Sequence, residues 1–361
     1  MIRPPDYVLG VQPYIPGKPI EELERELGIS NSIKLASNEN PVGPSPAALK
    51  AIRDSIHDIN RYPDGAGYYL KKALAKKLSA IESVSEDELI LGNGSNELLN
   101  IAAKTFMQDG DEAVMAFPSF IVYSMAVQSV GGRSIEIPLK DYTHDLEAMV
   151  DAVTSRTKII FIGNPNNPTG TINRKDEFDR AMEKIPENIL VVLDEAYYEY
   201  VSDPAYADSM KYLHSKKNVL ILRTFSKMYG LAGLRIGYGI AKKGILDDMN
   251  RLREAFNTNS IAQRAALAAL NDSEHLSHSR NINEAGKKYL YEELALMGVK
   301  YVPTETNFVY IPLEKAIAVY EGLMKMGVII RPMGPKAIRV TIGLPEENKR
   351  FVEAFKTVIS Q

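Results

Sequence analysis

Val219-Leu220-Ile221-Leu222-Arg223-Thr224-Phe225-Ser226-Lys227-Met228-Tyr229-Gly230-Leu231-Ala232-Gly233-Leu234-Arg235 opens as an apolar run and breaks into hydroxyls, small residues and glycines. The run Val219 to Leu222 is short and bounded by turn-forming residues, so it reads as a buried strand. Thr224, Ser226, Lys227 and Arg235 then lie just past a strand end. A lysine there can form a Schiff base with an aldehyde cofactor, and flanking hydroxyls with a guanidinium can hold that cofactor's phosphate. Alone, a Ser-Lys pair in a glycine-containing loop is more often a solvated turn. What raises the reading lies upstream.

Lys158-Ile159-Ile160-Phe161-Ile162-Gly163-Asn164-Pro165-Asn166-Asn167-Pro168-Thr169-Gly170 is a second apolar run, ending in a stiff turn of prolines and asparagines. Such a turn is ordinary by composition. Ile189-Leu190-Val191-Val192-Leu193-Asp194-Glu195-Ala196-Tyr197 is a third run, delivering an aspartate and, three residues on, a tyrosine. Asp194 could merely cap a helix. It could also end a nucleotide-hydrolase strand, but no G-x-x-x-x-G-K-[ST] loop precedes it. Consecutive strand ends thus carry Asn167, then Asp194 with Tyr197, then Lys227 with Arg235. In an open parallel sheet, ligands bind outside the carboxyl ends of the strands. The set suits pyridoxal phosphate: a carboxylate for the pyridine nitrogen, an amide and a phenol for the ring's phenolic oxygen, and a lysine for the aldehyde.

The chain resembles the fold-type I pyridoxal-phosphate aminotransferases, and within them the histidinol-phosphate aminotransferase family. The resemblance spans nearly the whole length. It rests on Gln12-Pro13-Tyr14-Ile15-Pro16-Gly17-Lys18-Pro19, Leu35-Ala36-Ser37-Asn38-Glu39-Asn40-Pro41, Asn60-Arg61-Tyr62-Pro63-Asp64, Leu91-Gly92-Asn93-Gly94-Ser95-Asn96-Glu97, the strand ends above, and Arg339-Val340-Thr341-Ile342-Gly343. The Asn-Pro-x-Asn-Pro-Thr-Gly, Asp-Glu-Ala-Tyr and Ser-Lys segments in this order are highly specific for the superfamily.

The 361 residues exceed one typical domain, with 45% apolar and 25% charged residues, ordinary for a globular chain. A net charge of −3 gives no nucleic-acid footprint. The lack of cysteine excludes structural disulfides and thiolate zinc sites, and the scattered histidines show no metal-ligand spacing. Met1-Ile2-Arg3-Pro4-Pro5-Asp6-Tyr7 has no apolar core behind a basic start, and no run is long enough to span a bilayer, so a cytoplasmic location with no membrane partner is expected.

Residues 1–46 are rich in Pro, Gly and Asn and read as an extended arm with a loop, contributing to the small domain. Ala47 to Ile56 and Tyr68 to Ile81 read as helices. From Leu89 to about Gly239 strands alternate with helices, the clearest strands being Ala113 to Phe117 and the apolar runs above. Helical patterns follow at Leu246 to Ala255, Gln263 to Leu270 and Asn281 to Met297. Strand-like Asn307 to Ile311, Val328 to Arg331 and Ala337 to Ile342 then precede a helix from Glu346. The expected fold is α/β: a large, mainly parallel sheet domain with helices on both faces over 47–250, and a linking helix with a smaller α+β domain over 251–361.

Leu89 to Glu97 reads as strand, glycine turn and helix start, where free amides suit a phosphate. Glu97 stands where a dinucleotide fingerprint needs glycine, and Ser95 could simply cap the helix. The resemblance implies that Gly94, Ser95 and Asn96 cradle the cofactor phosphate and that Phe120 stacks on the ring. It implies that Tyr62 crosses a homodimer interface to the partner's cofactor, and that Tyr14, Asn38, Asn167, Arg331 and Arg339 bind substrate. Composition alone would make Phe120 core, Tyr62 a surface turn residue, and the arginines solvated. The implied reaction, in histidine biosynthesis, is ping-pong: L-histidinol phosphate plus 2-oxoglutarate gives imidazole acetol phosphate plus L-glutamate, with Lys227 as general base and acid and Asp194 on the ring nitrogen. Arg331 is expected to serve the substrate phosphate and Arg339 the glutamate carboxylate. The competing readings are an aromatic amino acid aminotransferase, a pyridoxal-phosphate decarboxylase of a phosphorylated amino acid, and a cofactor-binding regulatory module. The last usually adds a DNA-binding domain, for which the chain has no spare length.

Overall fold

The structure is a computed structural model and describes residues 2–360. In chain order its strands are β1 (Ile33–Lys34), β2 (Leu89–Gly92), β3 (Glu112–Phe117), β4 (Arg133–Pro138), β5 (Thr157–Gly163), β6 (Leu190–Asp194), β7 (Asn218–Thr224), β8 (Gly237–Ala241), β9 (Phe308–Pro312), β10 (Val328–Ile329), β11 (Arg331–Pro332) and β12 (Ala337–Thr341). The apolar runs that open the sequence argument are β5, β6 and β7. Ile159, Phe161, Val192, Leu220 and Leu222 join one buried cluster with Leu98, Ala102 and Tyr123. The alternate residues Ile160, Ile162, Val191, Leu193 and Ile221 are equally buried. A strand covered on both faces must be apolar throughout, and this is why these runs lack polar alternation.

Seven strands form one sheet in the order β2-β8-β7-β6-β5-β3-β4. The neighbours from β7 to β4 are parallel, whereas β8 runs antiparallel to both β7 and β2. The sheet is therefore mainly parallel, and the chain is α/β. β8 was not among the strands read from the sequence, because Gly237-Tyr238-Gly239-Ile240-Ala241 holds two glycines that argue against a strand. Its glycines are required by crowding. A Cβ on Gly237 would lie 2.5 Å from the Ser95 amide nitrogen, and one on Gly239 would lie 3.0 Å from Ile90.

The chain divides into two compact units. The first holds the segment up to Pro13, Pro44–Asn167 and Ile172–Asp272. The second holds Tyr14–Gly43, Pro168–Thr171 and everything from Ser273 on. This division differs from the sequence-based one. Helix Ser260–Leu270 lies with the first unit, so that unit extends past 250, and the residues before Tyr14 also go with it. The second unit contains the antiparallel sheet β11-β12-β9, the parallel pair β1-β10, and helices Ser273–Leu296, Ala316–Lys325 and Pro345–Ile359. Leu35, Leu294, Val309, Ile311, Leu323, Val340 and Phe355 fill its core.

The arm before Pro46 is not wholly extended. Asp6–Leu9 is a short helix and Ile20–Leu27 a longer one, with Leu23 buried against Ala36 and Ile329. The proline before Ile20 and the acidic residues around Leu23 hid that apolar stripe from a composition-based reading. The long helix starts at Ser273, eight residues before the position read from the pattern. Among the described residues, no helix is long and apolar enough to cross a membrane.

Candidate active site

Within the first unit, strand register explains how the sequence motifs meet. Gly163, Asp194 and Leu222 are successive cross-strand partners on β5, β6 and β7. Thr224 and Gly92 both pair with Gly237. The carboxyl ends of β2, β5, β6 and β7 therefore lie along one edge of the sheet, and each carries a singled-out segment.

Asp194 is the last residue of β6 and is buried. Its Oδ2 accepts the Tyr123 hydroxyl at 2.8 Å and its Oδ1 accepts the Ala196 N–H at 3.1 Å. It does not cap a helix. Burial pushes its carboxyl above the ordinary range, while the Tyr123 and Ala196 donors and the Lys227 charge pull the other way. Burial and the facing carboxylate push the Tyr123 phenol well up, so it stays a donor. Tyr123 stacks on Phe161 at 5.0 Å and meets Phe120 edge-on at 5.7 Å. Sequence reasoning missed Tyr123. No local pattern pointed to it, since Phe120 precedes helix Val122–Gln128, on whose first turn Tyr123 lies.

Tyr197 is buried, and the Lys227 Nζ sits 5.6 Å from the centroid of its ring. Asn167 is half-buried in a turn that begins with a cis Asn164-Pro165 bond. The Asn164 N–H donates to the Asp194 carbonyl at 3.0 Å, and Asn164 Oδ1 accepts the Asn173 N–H at 2.9 Å, which fixes the base of that turn.

Gly94, Ser95 and Asn96 form the second cluster with Thr224, Ser226 and Arg235. Helix Ser95–Phe106 begins immediately after Gly94, which occupies the N-cap position at φ 77° with no side-chain cap. Ser95 is thus the first helical residue and does not cap the helix. The Arg235 guanidinium lies so close to Gly94 that a Cβ there would meet its Nη2 at 2.5 Å. Arg235 Nη1 also donates to Ser226 Oγ at 3.4 Å, and the Ser226 N–H donates to Thr224 Oγ1 at 3.1 Å. Helix-start amides, a hydroxyl and a guanidinium thus share one small space, the donor set that a phosphate monoester requires.

Tyr62 is 83% exposed, with its ring stacked on Phe256 at 4.8 Å. Glu199, in the short 3-10 turn Tyr198–Tyr200 that follows β6, is half-buried, and desolvation of its carboxyl holds it up at about 7 against an ordinary 4.5. Arg223 on β7 and Lys77 on helix Tyr68–Leu78 pull it down, Glu195 pushes it up, and the phenols of Tyr198, Tyr229 and Tyr238 also face it. Between those two values the folded chain keeps a proton that the unfolded chain has released. Stability therefore falls as pH rises through that window. The gain in Tm of Glu199→Gln over the parent should grow from about pH 4.5 to about pH 7 and then level off, measured by thermal unfolding of both across pH. A constant difference would contradict this.

In the second unit, Arg331 and Arg339 are directly opposed on β11 and β12. Arg331 Nη2 donates to the Ile15 carbonyl at 3.0 Å, and its guanidinium lies 5.5 Å from the Tyr14 ring centroid. Arg339 is buried, donates to the Ala36 carbonyl at 2.8 Å, and lies 5.2 Å from the Phe308 ring. Asn38 is buried at φ 56°, with its N–H donating to Thr341 Oγ1 at 2.9 Å and its carbonyl accepting Asn307 Nδ2 at 3.0 Å. Tyr14, Asn38, Arg331 and Arg339 are therefore gathered around one hairpin, although about 300 residues separate the halves of the set. Asn307 and Thr341, which hold Asn38, were not singled out from the sequence.

A family model for aminotransferase class I and II matches residues 30–355. A histidinol-phosphate aminotransferase of Moorella thermoacetica is 48% identical over 98% of this chain and 92% of its own length. Histidinol-phosphate aminotransferase 1 of Nitrosococcus oceani is 46% identical over 98% and 96%. A crystal structure of histidinol-phosphate aminotransferase from Sinorhizobium meliloti in complex with pyridoxal-5′-phosphate superposes with TM-score 0.88 at 30% identity, covering 95% of both chains. An aspartate aminotransferase of Thermus thermophilus, 23% identical, has the same fold at TM-score 0.86, covering 99% and 100%. With its strand-end constellation and these likenesses, the chain belongs to the aminotransferase class I and II family, and within it to the histidinol-phosphate aminotransferases.

Proposed function

We propose that this chain is a pyridoxal-phosphate enzyme that transfers the amino group of L-histidinol phosphate to 2-oxoglutarate, giving imidazole acetol phosphate and L-glutamate. The observation that carries the reading is the grouping in the first unit: Asp194, held by Tyr123, with Lys227 beside Tyr197 and an anion cradle at Gly94 and Arg235. The donor set fits the cofactor. The cradle has the donors and the charge for its phosphate, and a bulkier residue at Gly94 would collide with Arg235.

When bound, pyridoxal phosphate supplies an aldehyde carbon and an electron-withdrawing ring. Asp194 would hold a proton at the ring nitrogen, and a cation there would offset the cost of its buried charge. Tyr197 and Asn167 would donate to the ring oxygen. Phe120 would cover the ring face. Gly94, Ser95, Asn96, Thr224, Ser226 and Arg235 would hold the phosphate. Lys227 Nζ would anchor the cofactor through its aldehyde carbon. As a free amine, the same Nζ would take the proton from the substrate Cα in one half of the cycle and return a proton to that position in the other.

Arg331 serves the phosphate of histidinol phosphate, Arg339 a carboxylate of glutamate, and Tyr14 and Asn38 the same substrates. Like charges directly opposed across a strand pair are a cost that a bound anion relieves. Arg331→Ala should raise KM for histidinol phosphate about 100-fold, the loss of a charge-assisted bidentate contact, with kcat and the KM for 2-oxoglutarate little changed. Steady-state kinetics with each substrate varied would check this, and an unchanged KM for histidinol phosphate would overturn the assignment.

The working species is a homodimer in the cytoplasm, with Tyr62 contributed to the partner's cofactor phosphate. Support comes from exposed apolar side chains in one stretch of the first unit, with Ile59 at 67%, Tyr62 at 83% and Tyr69 at 73%. A second copy covering them removes this surface from water. Ile59→Asp should shift sedimentation from dimer to monomer and remove activity; a fully active parent monomer would contradict the dimer. The reaction itself is tested by following glutamate formed from 2-oxoglutarate with L-histidinol phosphate or L-phenylalanine as donor. The reading requires faster turnover of the phosphate. Faster turnover of phenylalanine would make the enzyme an aromatic aminotransferase.

A further inference from the structure

The loops carrying Asn167, Asp194 with Tyr197, and Lys227 leave adjacent strands, and the β5–β6–β7 pairing ends at Gly163, Asp194 and Leu222. Beyond that row, a few backbone bonds and a set of side chains tie the loops together. Glu195, the first residue past β6, is 2% exposed, and its N–H donates to the Leu222 carbonyl at 2.8 Å. Its Oε2 accepts Arg223 Nε at 2.8 Å and lies 2.8 Å from Arg223 Nη2. Arg223 is the penultimate residue of β7, is 3% exposed, and stacks its guanidinium 3.7 Å from the Tyr198 ring centroid. The other carboxylate oxygen, Oε1, accepts the Ser209 hydroxyl and lies 3.4 Å from the Tyr206 hydroxyl. Tyr206 in turn donates to the Asn164 carbonyl at 2.6 Å, at the base of the Asn167 turn. One carboxylate is thus tied to all three loops.

Resting on the aminotransferase reading, we infer that Glu195 and Arg223 are positioning residues whose buried pair sets the separation between Asp194 and Lys227. Glu195 adjoins Asp194 in the chain, and Arg223 precedes Lys227 by one turn of loop. They act through these two residues and not on the reacting atoms. A buried ion pair is a weak source of stability, because desolvation of both charges offsets their attraction, and an apolar pair of similar volume often folds as well. The directional ties from one carboxylate to a guanidinium and two hydroxyls fix geometry in a way that apolar packing does not.

The test compares the parent, Arg223→Lys, and the double variant Glu195→Met with Arg223→Met, each loaded with pyridoxal phosphate. Three readouts are taken: Tm, the pH midpoint of the visible band of the Lys227-bound cofactor, and kcat with both KM values. For both variants we expect a folded protein with the band's midpoint displaced by about one pH unit. We also expect a kcat lowered roughly 10- to 100-fold, the scale of a displacement of about 1 Å, with KM values within about threefold of the parent. Folded variants with the parent's midpoint and kcat would overturn the inference, as would a rise in KM alone. If the double variant does not fold, Arg223→Lys, which keeps the charge and loses the planar fork, decides on the same readouts. A parent that binds cofactor yet fails to transaminate histidinol phosphate would defeat the functional reading instead. The band midpoint would still test the brace in that case.

Discussion

Lys227→Ala should abolish transamination, lowering kcat by more than about 10⁴-fold, because the covalent attachment and the proton carrier at Cα are lost in one change. The visible absorbance of the lysine-bound cofactor should vanish with it. Folding should survive, since Lys227 is only half-buried and lies beyond the last paired residue of β7. Cofactor should still bind through the phosphate cradle at Gly94, Ser226 and Arg235, now removable by dialysis. The check is a single-turnover assay beside an absorbance spectrum and a thermal melt. Turnover within tenfold of the parent would refute the assignment of the central lysine.

Asp194→Asn carries the second-largest expected effect. The substitution keeps the shape and an oxygen that can accept from Tyr123, so the stack of Tyr123 on Phe161 and the turn to Ala196 should persist. It removes the charge that, on the proposed function, would hold a proton on the ring nitrogen. The expected loss in kcat is about 10²- to 10³-fold, the scale of one lost electrostatic contact to developing charge. The apoprotein's Tm should not fall, because burial already disfavours the Asp194 charge and a neutral amide escapes that penalty. Kinetics and calorimetry on the same preparation would check both halves. A large fall in Tm with kcat preserved in the folded fraction would make Asp194 structural.

Much of the first unit was legible because β5, β6 and β7 are covered on both faces, which forces uninterrupted apolar runs ending in polar loops. That Asp194, Lys227 and Arg235 lie near one edge of the sheet was legible from their positions at those ends. What escaped depends on contacts that no local pattern encodes. β8 looks too glycine-rich for a strand until Ser95 and Ile90 are seen pressing on Gly237 and Gly239. Tyr123 gives no sign along the chain that it faces Asp194, 71 residues away. The Glu195–Arg223 pair spans 28 residues and two strands. Tyr14 and Arg331 were grouped only through family resemblance, since 317 residues separate them. Helix Ile20–Leu27 carries a helical stripe at Ile20, Leu23 and Leu27, but five charged residues and the prolines before it gave the segment the composition of a polar arm.

The most direct test of the account is an absorbance titration of the purified, cofactor-loaded protein with L-histidinol phosphate, followed by 2-oxoglutarate. The account predicts that the visible band falls as histidinol phosphate is added, without any ketoacid present, and returns in full on addition of 2-oxoglutarate. A band that ignores histidinol phosphate, or that falls and cannot be restored by 2-oxoglutarate, would contradict it.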